Sequence, residues 1–392
     1  MKHLFSFLLM LASLTSVAGD NILPGWAIGG FTRPEGKKPM VSPIADNLFL
    51  CPMKGTQVKW ECADTFNPAA VEKDGKVCVL YRAEDDPSAG IGGRTSRIGL
   101  VESEDGITVS YRSPSPVMYP DDSAVSKEFE WTGGTEDPRV VEAEVDDEPL
   151  YVMTFTSWNR SVARLSVATS RDLRTWTHHG PCFRTAFGGK FADMFCKSGS
   201  IVTQVKDGRL QATKIMVGGV EKYFMYWGEA WVCGATSDDL ITWTPVVDAN
   251  QELLYLAKPR KGFFDSMLTE CGPPAVVTDD GIILIYNGKN ASGAGGDIVY
   301  PSNTYAAGQM LFSRDNPLQL IDRLDKPFFR PVDDFERSGQ YAAGTVFTEG
   351  LVFHQRKWFL YYGCADSFVG VAVCDPSKAQ HAGDSVPDVQ QR

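Results

Sequence analysis

Four carboxylates occupy sequence contexts in which an acidic side chain is unusual. They are Asp137 in "WTGGTEDPR", Glu229 in "FMYWGEAWVCGATS", Glu270 in "MLTECGPP" and Asp366 in "YYGCADS". An unpaired charge in so apolar a setting costs several kcal/mol, or the carboxyl group stays protonated. Glycoside hydrolysis needs two carboxyl groups, one as general acid and one as base or nucleophile. The four acids therefore predict an enzyme that cleaves a glycosidic bond.

The local sequence also predicts how two of these acids are held. The run 224–237 is apolar enough to predict one continuous strand covered on both faces, so Glu229 is expected to face a cavity. Asp137 precedes Pro138, which favours an extended backbone and a defined side-chain direction. The preceding glycines allow the backbone to approach a ligand closely.

Aromatic residues accompany the acids. They include Tyr81, Trp131, Trp158, Trp227, Trp231, Tyr286, Tyr361 and Tyr362. Carboxylates combined with aromatic platforms suit a neutral sugar, because aromatic faces pack against apolar sugar surfaces while the acids bind hydroxyl groups.

A loose repeat of roughly 65–70 residues must position these side chains. Its five copies begin near Phe66, Glu136, Lys197, Cys271 and Ala343. Each copy supplies about four short strands bounded by Gly, Pro, Asn or Asp, which is the pattern of a propeller blade. The sequence therefore predicts an all-β protein in which residues 19–392 form a single five-bladed β-propeller.

The bulk properties exclude several function classes. Residues 1–18 have a basic start, an apolar stretch and a small-residue end, which predicts a cleaved secretory signal and an exported, periplasmic protein. A formal net charge of −11 argues against nucleic acid as a partner. No other segment is long and apolar enough for membrane insertion. The sequence carries no signal for an oligomeric state.

Cysteine and histidine usage predicts neither a metal site nor a cofactor. The nine cysteines lie beyond residue 18, many of them inside apolar runs, where small buried hydrophobes are expected. A bridge between Cys51 and Cys62 stays open, because an exported protein meets an oxidising compartment. CxxC pairs and histidines at ligand spacing are absent from the sequence.

Six segments in order resemble glycoside hydrolase family 130. They are "YRAEDD", "TSRIGLVESEDG", "GGTEDPR", "RLSVATSRDLRTWTHHGP", "GPPAVVTDDGIILIYNG" and "LVFHQRKWFLYYGCADS". The resemblance covers about residues 66–375. It implies a five-bladed propeller that acts on β-mannosides by inversion, either as a phosphorylase or as a β-1,2-mannosidase.

The resemblance also implies residue roles. Asp137 matches the family's general acid, which acts through the 3-hydroxyl of the mannose. Arg82 and Asp366 match residues that hold this mannose, with Asn67 beside them. The predicted substrate-binding set also includes four residues from the motifs and the aromatic set: Asp85, Arg139, Trp158 and Asn287.

Departures from the phosphorylase pattern favour hydrolysis. Where phosphorylases carry a Lys in the fourth repeat, this chain has Leu268, and Glu270 replaces a Gly. In the third repeat, Glu229 stands near the position of an expected Arg. An anion would be repelled here, whereas a water molecule could be held and deprotonated. Glu229 and Glu270 are therefore predicted to activate water, and the sequence leaves open which of them is the base.

Three alternatives remain at this stage. Other arginines could bind phosphate, which would make the protein a β-mannoside phosphorylase. The chain could be a non-catalytic glycan-binding propeller. Another type of five-bladed glycosidase, such as an arabinanase-like enzyme, also uses three acids but lacks the "GGTEDPR" and "TSRIG" context.

Overall fold

The computed structural model describes residues 23–36, 38–90 and 92–378 of the chain. The predicted secretory signal, residues 1–18, lies outside these residues. Strands make up 47% of the protein and helices 5%. The predicted all-β class is therefore confirmed.

Antiparallel pairing sorts most strands into five consecutive groups, after an initial hairpin. The hairpin contains β1 (Leu48–Cys51) and β2 (Thr56–Lys59). Group one contains β3 (Asp64–Lys73), β4 (Lys76–Glu84), β5 (Ser96–Ser103) and β6 (Tyr111–Arg112). Group two contains β7 (Gly134–Val145), β8 (Glu148–Trp158), β9 (Ala163–Ser170) and β10 (Thr177–Pro181).

The remaining groups follow the same plan with more interruptions. Group three contains β11 (Gly199–Lys206), β12 (Arg209–Ala212), β13 (Lys214–Val217), β14 (Val220–Trp227), β15 (Val232–Ser237), β16 (Trp243–Pro245) and β17 (Tyr255–Ala257). Group four contains β18 (Leu268–Cys271), β19 (Ala275–Val277), β20 (Ile282–Lys289), β21 (Tyr305–Phe312) and β22 (Leu320–Arg323). Group five contains β23 (Val346–His354), β24 (Lys357–Cys364) and β25 (Phe368–Cys374).

Helices are short. The α-helix α1 (Ala124–Phe129) precedes β7 and is capped by the Ser123 side chain, which accepts from the backbone N–H of Ser126. The 3-10 helices are Ala186–Gly189, Gly293–Gly295, Asp334–Glu336 and Pro376–Lys378.

The five groups contact one another in chain order, and the fifth contacts the first. Parallel bridges between successive groups join Ser96 to Gly134, Glu142 to Gln211, Val202 to Ala275, and Tyr305 to Thr345. Group five contacts group one where the backbone N–H of Thr65 donates to the carbonyl of Ser367, at 3.3 Å. The first strands of all five groups are thereby brought together, although they are far apart in sequence.

The amino-terminal segment completes group five. Thr32 and Val41 form antiparallel bridges with Val373 and Val369 of β25. Residues from both ends of the described chain thus share one group, which links the first and last parts of the fold.

Three repeated turns are each held by an aspartate. Asp105, Asp172 and Asp239 each accept two backbone N–H groups from the residues two and three positions later. Such Asx turns engage the carboxylate in local backbone hydrogen bonds.

The run 224–237 forms two strands rather than the single strand that its apolarity predicts. β14 ends at Trp227, β15 begins at Val232, and Glu229 lies half-buried in the turn between them. Gly228 adopts φ 128°, and a Cβ there would lie 2.0 Å from the carbonyl oxygen of Trp231. The prediction was wrong because two adjacent buried antiparallel strands are as apolar as one long strand, and a single Gly can turn the chain.

The nine cysteines all lie in described residues and are free thiols, Cys51 and Cys62 included. Burial raises the pKa of several of them, for example to about 12 for Cys78 and Cys196. Within the described ranges, no helix is long and apolar enough to cross a membrane.

Candidate active site

One cavity gathers most of the predicted acids. It has a volume of about 680 Å³, which includes its opening to solvent, and is lined by Phe66, Asn67, Arg82, Glu84, Asp137, Lys197, Glu229, Glu270, Tyr305, Gln340, Tyr341, Phe347 and Asp366. These residues come from all five groups. The lining carries five carboxyl groups and two basic side chains, so the cavity as a whole is acidic.

Asp137 is presented by a bulge in β7. The pairing of β7 with β8 shifts between Glu136 and Arg139, because Pro138 has no N–H to donate to the ladder. Asp137 has φ 51° in this bulge, so the predicted extended conformation is wrong. Aspartate tolerates the left-handed region better than most residues do, and the bulge turns its carboxylate into the cavity.

The same bulge recurs in group one, where it presents Asn67. Pairing of β3 with β4 shifts between Phe66 and Pro68, and Asn67 has φ 48°. Asn67 Nδ2 donates to Asp137 Oδ1 at 2.9 Å. An Asn-Pro and an Asp-Pro pair, about seventy residues apart in sequence, thus meet side by side.

Arg82 holds Asp137 in its ionised form. Its Nη1 donates to Asp137 Oδ1 at 3.0 Å, while Nη2 donates to Glu84 at 2.6 Å and to Glu136 at 3.1 Å. Burial raises the pKa of Asp137, but Arg82 and Lys197 outweigh burial and lower the pKa to about 2. Burial raises the pKa of neighbouring Glu136. The unliganded cavity therefore contains Asp137 as a carboxylate.

Glu270 has the opposite protonation state. It is buried at the end of β18 and accepts from Ser198 Oγ at 2.5 Å. Burial, and then the neighbouring carboxylate of Glu229, raise the pKa of Glu270 to about 8. The backbones that carry the two acids are in contact, since the N–H of Cys271 donates to the carbonyl of Gly228 at 3.0 Å. Glu270 is thus a neutral hydrogen-bond donor at pH 7, beside the half-buried Glu229.

Lys197 lies among these acids and was missed by the sequence analysis. Burial lowers its pKa, but Glu136, Asp137, Glu270 and Glu229 outweigh burial and raise it, so the amine is charged. Lys197 precedes Ser198 and Gly199 at the start of β11. Aligning this "KSG" with "FNP" and "EDP" of the first two repeats would have placed it at the cavity.

Asp366 and three aromatic residues also line the cavity. Burial raises the pKa of Asp366 to about 6. The ring centroid of Tyr305 lies 5.4 Å from that of Tyr341 and 5.7 Å from that of Phe347. Aromatic faces next to carboxylates form a surface that can hold a sugar ring and bind its hydroxyl groups.

A family model described as beta-1,4-mannooligosaccharide phosphorylase, that of glycoside hydrolase family 130, matches residues 33–379. The chain belongs to glycoside hydrolase family 130. A family 130 relative from Thermoanaerobacter sp. (strain X514), named 1,2-beta-oligomannan phosphorylase, is 28% identical over 345 residues, which are 86% of this chain and 95% of the relative.

Two solved structures are more similar in sequence. A glycosyl hydrolase from Bacteroides ovatus is 55% identical with a TM-score of 0.87, covering 92% of this chain and 97% of that one. Another, also 55% identical with a TM-score of 0.87 and covering 91% and 97%, comes from work on family 130 glycoside hydrolases that target β-1,2 mannosidic linkages in Candida mannan.

The structure brings six of the ten predicted site residues of this family 130 protein into the cavity. They are Asn67, Arg82, Asp137, Glu229, Glu270 and Asp366. Seven lining residues were not predicted, namely Phe66, Glu84, Lys197, Tyr305, Gln340, Tyr341 and Phe347. Most of these seven are aromatic or come from segments between strands, and only Phe66 and Lys197 lie in segments that the repeat would have aligned with Asp137.

Asp85 and Trp158, both predicted to bind substrate, lie outside the cavity lining. Asp85 accepts from the backbone N–H of Thr95 at 2.9 Å and pairs with the buried Arg97 at 3.0 Å. Trp158 is half-buried at the end of β8, and a Cβ on Gly133 would lie 2.2 Å from its ring. Both side chains are used in holding the loops around the site.

Arg139 and Asn287 also lie outside the lining, in the layer behind it. Asn287 accepts from the backbone N–H of Thr348 at 2.7 Å and donates to its carbonyl at 3.1 Å. Arg139 is 2% exposed and donates to three backbone carbonyls. Their placement differs from the prediction because inward-facing polar residues of a repeat occupy both the cavity and the layer beneath it.

The raised pKa of Glu270 predicts a pH-dependent stability. An unfolded Glu loses its proton near pH 4.5, whereas folded Glu270 keeps it up to about pH 8. The folded protein therefore binds the extra proton between these values, and stability falls as pH rises through this window. We expect chemical denaturation to show that wild type loses a few kcal/mol relative to Glu270→Gln between pH 5 and pH 8. A constant difference across these pH values would contradict the assignment.

Proposed function

We propose that this family 130 protein is an exported, inverting β-1,2-mannosidase. The observation that carries the proposal is the charge of the cavity, where five carboxyl groups of the described residues face two basic side chains. Of the two basic side chains, Arg82 already donates to three carboxylates. A phosphate dianion would have to bind next to Glu229 and Asp137. Two like charges about 4 Å apart repel by about 4 kcal/mol at an effective dielectric near 20. Water meets no such barrier.

We also propose that the five strand groups are the blades of a five-bladed β-propeller formed by residues 19–392. The contacts from group one through group five and back to group one support this arrangement. The cavity would then open at one end of the propeller axis, where the bulged first strands converge. Export to the periplasm is proposed from the composition of residues 1–18.

The proposed reaction uses the two acid sites on opposite faces of the mannose. Glu229 accepts a proton from water while protonated Glu270 donates a hydrogen bond that orients it. The water oxygen attacks the anomeric carbon, and the bond from that carbon to the glycosidic oxygen breaks. The departing oxygen takes a proton from the mannose 3-hydroxyl, which regains one from Asp137. Inversion follows because attack and departure occur on opposite faces.

Asp137 must gain a proton before it can give one. Its pKa of about 2 applies to the unliganded cavity. A bound sugar replaces the water around Asp137 with hydroxyl groups. The loss of solvent disfavours the ionised carboxylate and so raises the pKa of Asp137. We therefore place the protonation of Asp137 in the substrate complex, where the proton is transferred.

A phosphorylase is the second candidate, favoured by Lys197. Its charged amine lies in the cavity, and the Thermoanaerobacter relative is named a phosphorylase. Against it, Leu268 stands where the phosphorylase pattern has Lys, and the Lys197 amine is surrounded by four carboxyl groups.

Incubation with β-1,2-mannobiose, with and without phosphate, tests the proposal. We expect mannose to form at the same rate in both mixtures, with α-mannose as the first anomer seen by proton NMR. Dependence on phosphate, with mannose 1-phosphate as product, would establish phosphorolysis instead. First appearance of β-mannose would exclude inversion.

A further inference from the structure

The two halves of the proposed catalytic site come from different groups, and Arg139 connects them. Its Nη1 donates to the carbonyl of Asp137 at 3.1 Å, within group two. Its Nη2 and Nε donate to the carbonyls of Cys271 and Gly272 at 2.9 and 2.8 Å, directly after Glu270 in group four. The planar guanidinium has a fixed fork of donors, so these three bonds define its plane. Arg139 therefore links the backbone of the acid to the backbone of the water-activating pair.

Glu349 approaches Arg139 from group five. It is fully buried at a bulge of β23, between Thr348 and Gly350. This is the place in the repeat where β3 presents Asn67 and β7 presents Asp137. Glu349 Oε1 lies 3.1 Å from Arg139 Nη2.

Stability alone does not account for Glu349. Among the described residues, neither of its carboxyl oxygens receives an aligned hydrogen bond. Burial raises the pKa of Glu349 well above its usual value, and burying a carboxyl group with so few donors costs free energy. Replacing a buried pair of this kind with apolar side chains is often neutral or stabilising. The free-energy cost of burying Glu349 is explained if its contact with Arg139 sets the geometry of the adjoining site.

We propose that Glu349 is a positioning residue, which acts through Arg139 to fix the separation between Asp137 and Glu270. This inference rests on the proposed function, because it takes Asp137 and Glu270 as the two reacting sides. Glu349 adds a contact from a third direction, so the guanidinium cannot shift towards either strand. The separation between Asp137 and Glu270 then depends on one guanidinium that contacts strand groups two, four and five. Misplacement of about 1 Å can cost about 10²-fold in rate.

Three variants test the proposal: Glu349→Leu, Arg139→Met and the double variant. We expect each single variant to lower Tm, because one buried partner is left alone, and to lower kcat on β-1,2-mannobiose roughly 100-fold. KM should change little, since the cavity lining that contacts sugar is intact. The double variant should recover much of the Tm, because apolar side chains pack in place of the pair. It should not recover kcat, because these side chains cannot donate hydrogen bonds to the carbonyls that Arg139 holds.

The pair Arg112 and Glu61 provides a matched control. Glu61 is likewise fully buried and pairs with Arg112 of group one, but neither residue is in the cavity lining. Glu61→Leu and Arg112→Met should lower Tm and leave kcat of the folded protein unchanged.

Two results would overturn the inference: wild-type kcat in Glu349→Leu, or recovery of kcat together with Tm in the double variant. Wild type is assayed first, so the two proposals fail separately. Release of sugar only with phosphate would defeat hydrolysis but keep the positioning test valid, with mannose 1-phosphate as its readout. A wild type that cleaves no mannoside would defeat both.

Discussion

Glu229→Gln is expected to lower kcat on β-1,2-mannobiose about 10²–10⁴-fold, the range typical of a lost general base. The substitution keeps the size of the side chain and removes the group that accepts the water proton. KM should change little, because the ground-state contacts of the sugar remain. Tm should hold or rise, since the carboxylate beside Glu270 is gone. Steady-state kinetics and thermal unfolding on the same preparation check both expectations.

The matched control is Glu221→Gln, an exposed carboxyl on β14 of the same group. It should leave kcat and Tm at wild-type values. A structural ion pair of Glu229 with Arg160 or Arg164 would instead predict a destabilised but active variant. Those two cations are engaged elsewhere, Arg160 with the carbonyl of Gly93 and Arg164 with Asp193. A Glu229→Gln protein with lowered Tm and full turnover would refute the catalytic assignment.

Asp137→Asn should have a comparably large effect that depends on the leaving group. On β-1,2-mannobiose, loss of the proton donor is expected to cost about 10²–10⁴-fold in kcat. On 2,4-dinitrophenyl β-mannoside the loss should be much smaller, because that leaving group departs without a proton. Stability should also fall: the lowered pKa of Asp137 means that its ionised form favours folding above pH 4. At pH 7 this contributes roughly 2–3 kcal/mol.

Glu136→Gln is the control for this second experiment. Glu136 shares the bulge and the partner Arg82 with Asp137, but it is not in the cavity lining. It should not show a rate loss that depends on the leaving group. Equal losses on both substrates for Asp137→Asn would mean that the residue binds sugar rather than delivers a proton. Unchanged turnover would favour a glycan-binding protein or another acid.

The strand groups were predictable because they depend on local sequence. Short apolar runs, separated by Gly, Pro and Asp, recur at a spacing that antiparallel four-stranded units require. Turn aspartates such as Asp172 and Asp239 accept hydrogen bonds from backbone N–H groups two and three residues later, so their role depends only on local sequence. The misread run 224–237 shows the limit, because the composition of a buried hairpin equals that of a buried strand.

Most of the acids were predictable for a similar reason. Asp137 and Glu270 lie in the first strands of groups two and four, and the contacts between groups bring these strands to one cavity, whereas Asp366 follows β24, the second strand of group five. Lys197 was overlooked although it lies at the start of β11, because a lysine before a serine has no unusual sequence context. Tyr305 and Tyr341 come from neighbouring segments of groups four and five, and only packing between groups places their rings together.

The sequence by itself determined the all-β class, the repeat and the family, since each depends on residue types at fixed local spacing. Only the tertiary structure decided which inward polar residues reach the cavity and which lie behind it. Asp137 and Arg139 are two residues apart in one bulged strand, yet one lines the cavity and the other bonds carbonyls of group four. The same holds for protonation: Arg82 and Lys197 lower the pKa of Asp137, whereas burial and then Glu229 raise the pKa of Glu270, and all three of these side chains come from other parts of the chain. Burial and charge at a site depend on neighbours distant in sequence, so local pattern cannot supply them.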